Sequence, residues 1–445
     1  MLTFLRKKMR VIMIAVAIVF AASMFYGISM SRSFEGGKKA TKGLAKINGR
    51  EIDSSRYTEM LNRIGRQFGT NLQPQDIAFI QNLALGQTID FMLILDEAKK
   101  KVRVSGQEVE AAVNNMMKQE KIPSQKDLEN SLKRMGLTLG TFKKMVRDEM
   151  LVQKMMSKVK GEAKTTPDDL REISASHILV SQESSAKEIL QKIKKGGDFS
   201  SLAKEYSIDQ GSAVKGGDLG YFTTGMMVEP FEKAAYSLKI GEVSGVVKSD
   251  FGYHIIKLAD SRLRKFPGDE KDIDKAALTE KQDKAFQKWF VVLKNNAKIE
   301  VINPTLKAHD LRFSGKIGEA INAYQGAIAL APADPALHVF LGDTYNMVGK
   351  GELALAEYEK AVKLEGGNPT LYMILARAYE AAGKKDLAVK QYKLASIVAG
   401  DNKALHEQLL KKFKELKVWD ESEREKEEIA RIEKKEKFEK ELKGE

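Results

Sequence analysis

From Val11 to Met30 no position is charged. A helix of about 20 such residues spans the hydrocarbon core of a bilayer, whereas the apolar heart of a cleaved signal peptide is about 7–15 residues. Arg6, Lys7, Lys8 and Arg10 lie on the short leading side, which favours keeping that side in the cytoplasm. The pattern predicts an uncleaved signal anchor over residues 1–35, with the bulk of the chain outside the cytoplasm. Ala21, Ala22 and Ser23 are small enough for a signal peptidase, so a cleaved signal peptide is the alternative. Both readings export the chain.

Beyond a Gly/Lys linker the period changes. AKINGREI places Asn48-Gly49 between short apolar flanks, a hairpin-turn signal. Helical spacing follows: Tyr57, Met60, Leu61, Ile64 and Phe68 share one face, and 75–101 is a long apolar-rich helix. Ser105 with Glu108 forms a capping box before Val109, Val113 and Met116, and Ser124 and Thr138 open two further helices. Residues 44–165 therefore read as a mostly α domain. Its many methionines, among them Met116, Met117, Met135, Met145, Met150, Met155 and Met156, suit either gap-filling core or an adaptable client surface.

After Pro167 the pattern becomes mixed. EISASHILV and VVKSDFGYHIIKLAD read as strands and GGDLGYF as a glycine-bounded strand, with helices over 184–195, 198–206 and 229–238. This gives a small α+β unit over 170–262. A further helix over 272–296 ends in AKIEVI, a strand expected to lie beside AKINGREI. Residues 268–303 would then complete the first domain, and the α+β unit would be an insertion.

Residues 305–402 repeat, two complete units and one partial, within a domain drawn over 304–418. A period of 34 residues lays Leu337 on Leu371, Tyr345 on Tyr379, Gly349 on Gly383, Ala354 on Ala388 and Tyr358 on Tyr392. A small residue, an aromatic and a glycine turn at this period describe stacked antiparallel helix pairs, and the segment resembles tetratricopeptide repeats. The helix over 404–416 is expected to cap the array. Residues 419–445, rich in Lys and Glu, are expected to form a solvated charged helix. The fold class is thus multidomain: an N-terminal transmembrane helix, a mostly α chaperone-like domain, an α+β unit and an α-helical solenoid.

Composition narrows the chemistry. The formal charge is +13, but the acidic tail is no nucleic-acid arm. The chain has no cysteine, which excludes disulfides, thiol nucleophiles and a lipidated cysteine. It has five histidines, and two of them, His177 and His254, sit in apolar strand-like runs.

The motifs ASHILV, GGDLGYF…MVEPFEKAAYSL, GEVSGVV and DFGYHIIKL fall in order across residues 172–262, and this unit resembles the parvulin family of peptidyl-prolyl cis/trans isomerases. The flanking helices resemble those of exported SurA-like, PpiD-like and PrsA-like foldases. An attached repeat array is not part of those architectures. The resemblance implies a proline-ring pocket at Leu219, Met227 and Phe231. It also implies a hydrogen-bonded pair, His177 and His254, on neighbouring strands. Asp209 is implied as the third polar group, with Gln210 as the alternative, and Ser249 as a hydroxyl beside the second histidine. Rotation about an Xaa–Pro bond faces a barrier of about 18–20 kcal/mol and needs no covalent step. An apolar ring pocket with polar groups near the turning carbonyl suits the twisted amide. The stretch LVSQESSAKEIL lacks the Arg/Lys cluster that phosphate recognition requires, so the expected substrate is an unphosphorylated Xaa-Pro bond. His177, His254 and Asp209 could ligate zinc, but they form no compact ligand pair and the resemblance requires no metal; no cofactor is expected.

The expectation is an exported, inner-membrane-anchored isomerase and folding chaperone with its bulk in the periplasm. It would act on unfolded or emerging clients and dock a protein partner on the repeats. Two alternatives remain at this point: a catalytically silent chaperone or scaffold, and an adaptor whose main function is the repeat array.

Overall fold

The computed structural model describes residues 43–52, 54–68, 74–134, 136–265 and 273–443. The expected anchor over residues 1–35 lies outside them, as does Met135. The described chain forms two compact units: one holds the stretch up to Gln153 together with Leu293 onward, the other is Lys154–Val292.

The first unit opens with β1 (Ala45–Ile47) and β2 (Arg50–Glu51), joined by Asn48 (φ 51°) and Gly49 (φ 82°). Two consecutive left-handed residues match the twist of a tight hairpin, which is why Asn-Gly occupies it. Ser54–Phe68 (α1) and Pro74–Lys101 (α2) follow. They bury Met60, Leu61, Ile64, Ile80, Leu85, Ile89 and Leu93 against β1. Gly106–Gln119 (α3), Gln125–Arg134 (α4) and Leu139–Gly161 (α5) form a second core. The Ser105/Glu108 capping box is present, and Ser124 Oγ accepts the Asp127 N–H at 3.2 Å. Met116, Met145 and Met155 are buried, so these three methionines fill core.

Residues 76–101 of α2 are the one described stretch long and apolar enough to cross a membrane, and half of its most apolar 18-residue window is buried inside the protein. Its apolar side chains serve two cores. Ile80, Ala84 and Leu85 face the β1 side, while Ala78 and Ile77 pack into the repeat array.

The second unit carries an antiparallel sheet of order β4-β3-β6-β5, made of β3 (Arg171–Val180), β4 (Asp218–Phe222), β5 (Val247–Ser249) and β6 (Gly252–Leu263). Alternation sends Ile178, Val180 and Ile255 to one face, beneath α6 (Glu183–Lys194) and α7 (Phe199–Tyr206). It sends Ile173, Ala175, Ile256 and Leu258 to the other, beneath α9 (Glu229–Ser237). A short helical turn, α8 (Gln210–Ala213), precedes β4. Ile273–Asn295 (α10) then runs from this unit into the first. Next, Ile299–Val301 (β7) pairs antiparallel with β1, with Ala45 opposite Val301 and Ile47 opposite Ile299.

Helix pairs follow: α11 (Pro304–Phe313) with α12 (Ile317–Leu330), α13 (Pro335–Met347) with α14 (Gly351–Leu364), and α15 (Pro369–Ala381) with α16 (Lys385–Val398). Each first helix starts with Pro at a position whose N–H has no intrahelical partner. The same period continues one step further. Lys403–Leu416 (α17) places Leu409 and Phe413 on Leu375 and Tyr379, and Trp419–Lys443 (α18) places Ser422 on Ala388. Ser422, Glu425 and Ile432 are buried. The expectation of a solvated charged tail is therefore corrected: α18 is the second helix of a fourth pair. Lys and Glu at most of its positions hide the few residues that pack.

Candidate functional site

His177 on β3 and His254 on β6 occupy the two central strands. Leu179 is directly opposite His254, and His177 is opposite Ile256. The imidazoles are therefore diagonal neighbours on one face, within reach of each other. Nδ1 of His177 is 3.2 Å from Nδ1 of His254, and the rings lie 20° from parallel. Both histidines are buried. The Phe231 ring from α9 stands edge-on to both, at centroid distances of 5.6 and 5.3 Å.

The network extends outward at both ends. His177 Nε2 is 2.8 Å from Asp209 Oδ2 and 3.1 Å from Ser212 Oγ. The Ser212 hydroxyl donates to Asp209 Oδ2 at 2.5 Å. At the other end Ser249 Oγ lies 2.7 Å from His254 Nε2 and accepts the Phe251 N–H at 3.1 Å. Asp209 caps α8 and accepts the Gly211 N–H at 3.2 Å. Gln210 is the exposed first residue of that turn, so it is Asp209 that meets His177.

Two glycines permit this arrangement. Gly217 has φ +86°, and a Cβ there would stand 2.3 Å from the His177 carbonyl oxygen. The Gly217 carbonyl in turn accepts the His177 N–H at 2.8 Å. Gly252 has φ +130° and would place a Cβ 2.5 Å from Val180 O. Both strands carrying the imidazoles thus depend on a missing side chain beside them.

The electrostatics order the protons. The Ser212 hydroxyl first, and the His177 ring second, hold the Asp209 carboxyl below its ordinary range. Burial, and then the neighbouring His177, push His254 down to about 4, while Asp209 opposes the shift. An ionised Asp209 only accepts, so with both imidazoles neutral His177 carries its hydrogen on Nε2. Its Nδ1 then accepts from His254 Nδ1–H, and His254 Nε2 accepts the Ser249 hydroxyl. The chain runs Ser249 to His254 to His177 to Asp209, with every donor matched to one acceptor.

Leu219 and Met227 are partly buried against the core that holds Phe231. Phe231 itself is 3% exposed, so it is wall and core at once. Ser212, buried between Asp209 and His177, was not singled out from the sequence. Its spacing of three from Asp209 across a helical turn is the one signal that pointed to it. Among the described residues no cluster of His, Asp and Glu could hold a metal ion.

A buried imidazole pair on adjacent strands beside an apolar wall defines the parvulin class, and residues 154–262 match the PPIC-type PPIASE domain family. Residues 1–156 match the SurA-like N-terminal domain family, and residues 305–369 and 348–402 match tetratricopeptide repeats. The chain is 30% identical to foldase protein PrsA of Caldanaerobacter subterraneus subsp. tengcongensis, over 65% of this chain and 97% of that protein. It is 35% identical to foldase protein PrsA of Geobacillus kaustophilus, over 57% of this chain and 87% of that protein. The crystal structure of the peptidylprolyl isomerase PrsA from Bacillus anthracis aligns at 35% identity over 46% of this chain and 97% of that one, with a TM-score of 0.27. The chain belongs to the PrsA foldase family and is a parvulin-type peptidyl-prolyl cis/trans isomerase.

Proposed function

We propose that the chain isomerises unphosphorylated Xaa-Pro bonds in unfolded exported proteins, with His177, His254, Asp209 and Ser249 forming the polar side of the site. The observation that carries this is the continuous hydrogen-bonded chain from Ser249 to Asp209 against the Phe231 ring. Leu219, Met227 and Phe231 would hold the proline ring, and the paired imidazoles would set the shape and polarity of the surface where the carbonyl turns. A deconjugated amide has a smaller dipole than a planar one, so an apolar, water-poor wall favours it. Neither histidine needs to exchange a proton with substrate.

Phosphate recognition is unsupported. The residue presented to substrate is a carboxylate, Asp209, and the segment after β3 carries Glu183 paired with Lys187 rather than an Arg cluster. The charged leader before Val11 and the uncharged run to Met30 support export with membrane attachment. The helical first unit would hold clients while the slow step, tens to hundreds of seconds uncatalysed, is accelerated. A protein partner on the repeats would have to respect α2, which already packs on α11 and α13.

The test is protease-free isomerisation of an Ala-Xaa-Pro-Phe peptide series, with and without phosphoserine at Xaa, by the full chain and a Met227→Ala variant. Catalysis on the plain peptides that falls at least tenfold in the variant supports the site. Preference for phosphoserine would overturn the substrate assignment. Fractionation of cells, with protease added from outside the inner membrane, tests the location.

A further inference from the structure

Ser212 is 3% exposed and none of its surroundings is explained by packing alone. A small residue in a helical turn would be satisfied by alanine, yet here the hydroxyl is bonded twice. It donates to Asp209 Oδ2 at 2.5 Å and lies 3.1 Å from His177 Nε2. Asp209 has its other oxygen held by the Gly211 N–H at 3.2 Å, and its own N–H faces Ser207 Oγ at 3.4 Å. The carboxylate is therefore gripped from one side by its own turn and presents Oδ2 to His177.

We propose that Ser212 is a positioning residue for the isomerase: by bonding Asp209 and His177 together it fixes the carboxylate's orientation and, through it, the direction of hydrogen bonding from Ser249 through both imidazoles. The Nδ1–Nδ1 contact can be bridged by one hydrogen, donated from either ring. Which ring donates is decided at the ends. An Asp209 locked as acceptor puts the His177 hydrogen on Nε2, which leaves Nδ1 to accept and forces His254 into its Nδ1–H form. Without Ser212 the carboxylate can rotate away, its proton affinity rises, and His177 can take either tautomer. The titratable groups facing Asp209 are His177 from β3 and, behind it, His254 from β6; Gly211 and Ser212 on its own turn are uncharged. The dependence on Ser212 is supported by the lowered proton affinity of Asp209, for which the Ser212 hydroxyl is the largest cause.

This inference rests on the site assignment above, and its test separates the two. The full chain, Ser212→Ala and Ser212→Thr are compared by 15N-detected imidazole spectra and by kcat and KM as functions of pH. The expected wild-type spectra show His177 as the Nε2–H and His254 as the Nδ1–H tautomer. Ser212→Ala is expected to give mixed tautomers, a kcat lower by about tenfold with KM little changed, and an acid limb moved up by about one pH unit. Those sizes correspond to one lost charge-assisted hydrogen bond. Ser212→Thr, which keeps the hydroxyl, restores the tautomers and the limb. Unchanged tautomers and an unchanged acid limb in a folded Ser212→Ala protein overturn the proposal, as does a loss of kcat traced only to unfolding by Trp289 fluorescence. Tautomers that shift as described while the wild type isomerises nothing would uphold the positioning role and sink the functional reading instead.

Discussion

In the repeat array His406 is clamped between acceptors: its Nε2 is 3.0 Å from the Gly400 carbonyl and its Nδ1 2.6 Å from Glu425 Oε2. In the isomerase unit His254 lies between a hydroxyl and a second imidazole. All five histidines of the chain are buried, so burial does not separate these roles; the partners do. His338 meets Glu357 at 2.6 Å, and this pair is His406–Glu425 displaced by two repeat periods. His309 is held by Tyr324 at 2.6 Å and Gln81 at 2.8 Å, tying α11 to α12 and to α2. These three imidazoles each join helices through fixed partners. The His177–His254 pair is different because either ring could carry its shared hydrogen, Asp209 and Ser249 at the ends decide which ring does, and those ends are partly exposed.

The comparison is broken most severely by removing α18. A chain ending at Val418 removes the helix paired with α17, with its buried Ile432, and leaves the buried His406 without Glu425. Losing the burial of Ile432 costs about 1.5–3 kcal/mol, on top of the broken His406–Glu425 pair. Denaturant unfolding followed by circular dichroism should show the distal repeats melting early, with kcat/KM on proline peptides unchanged. An unshifted profile would return α18 to the status of a solvated tail.

Point substitutions come next. His406→Ala leaves a buried carboxylate alone and should cost about 3–5 kcal/mol in the first unit, again with normal isomerisation. His254→Asn should do the reverse: kcat/KM lower by about tenfold or more, through loss of a positioned hydrogen bond, and a modest change in stability. The two tryptophans, Trp289 and Trp419, fall in different units. Single-tryptophan variants therefore report each unit separately.

How much of this was legible beforehand follows from what each feature depends on. The hairpin at Asn48-Gly49, the capping box at Ser105 and the 34-residue period are local or periodic, and read directly. The order β4-β3-β6-β5 and the meeting of His177 with His254 are long-range, and came from the resemblance of several motifs in order. Ser212 was missed because a serine in a turn carries no signal until Asp209 and His177 are placed around it. The fourth helix pair was missed because Lys426 stands where Tyr358 and Tyr392 stand in earlier repeats. The sharing of α2 between two cores was also unreadable, since periodicity gives one apolar face without saying which part of it meets which neighbour.

Acid sharpens the comparison further. Burial lowers His309 to about 3, with Arg312 adding to the shift, and His254 is lowered to about 4. The unfolded chain takes up these protons near pH 6.5, so below that pH the unfolded state binds more protons than the native one. Stability from both groups is complete above about pH 6.5 and is lost as pH falls toward the folded values. Unfolding midpoints of both units should therefore decline between about pH 6.5 and 4. His309→Gln should flatten the slope for the first unit alone. A slope that persists there would assign it to other groups.

The smallest expected effect lies on the outer face of α18. Arg431 reaches Asp401 at 2.8 Å and Lys435 at 2.5 Å, and the carboxyl is held below its ordinary range by Lys435 first and Arg431 second. Geometrically these bonds rival the buried His406–Glu425 pair. The difference is solvent: both cations are about half exposed (51% and 52%), so water and salt screen them and the side chains lose entropy on pairing. Asp401→Ala should therefore shift stability far less than His406→Ala does, and by less still at high salt. Measured beside His406→Ala at two ionic strengths, it asks whether distance or burial decides the strength of an ion pair in this array. Equal losses for the two variants, insensitive to salt, would mean that α18 is fastened by its outer ion pairs rather than by its buried ones.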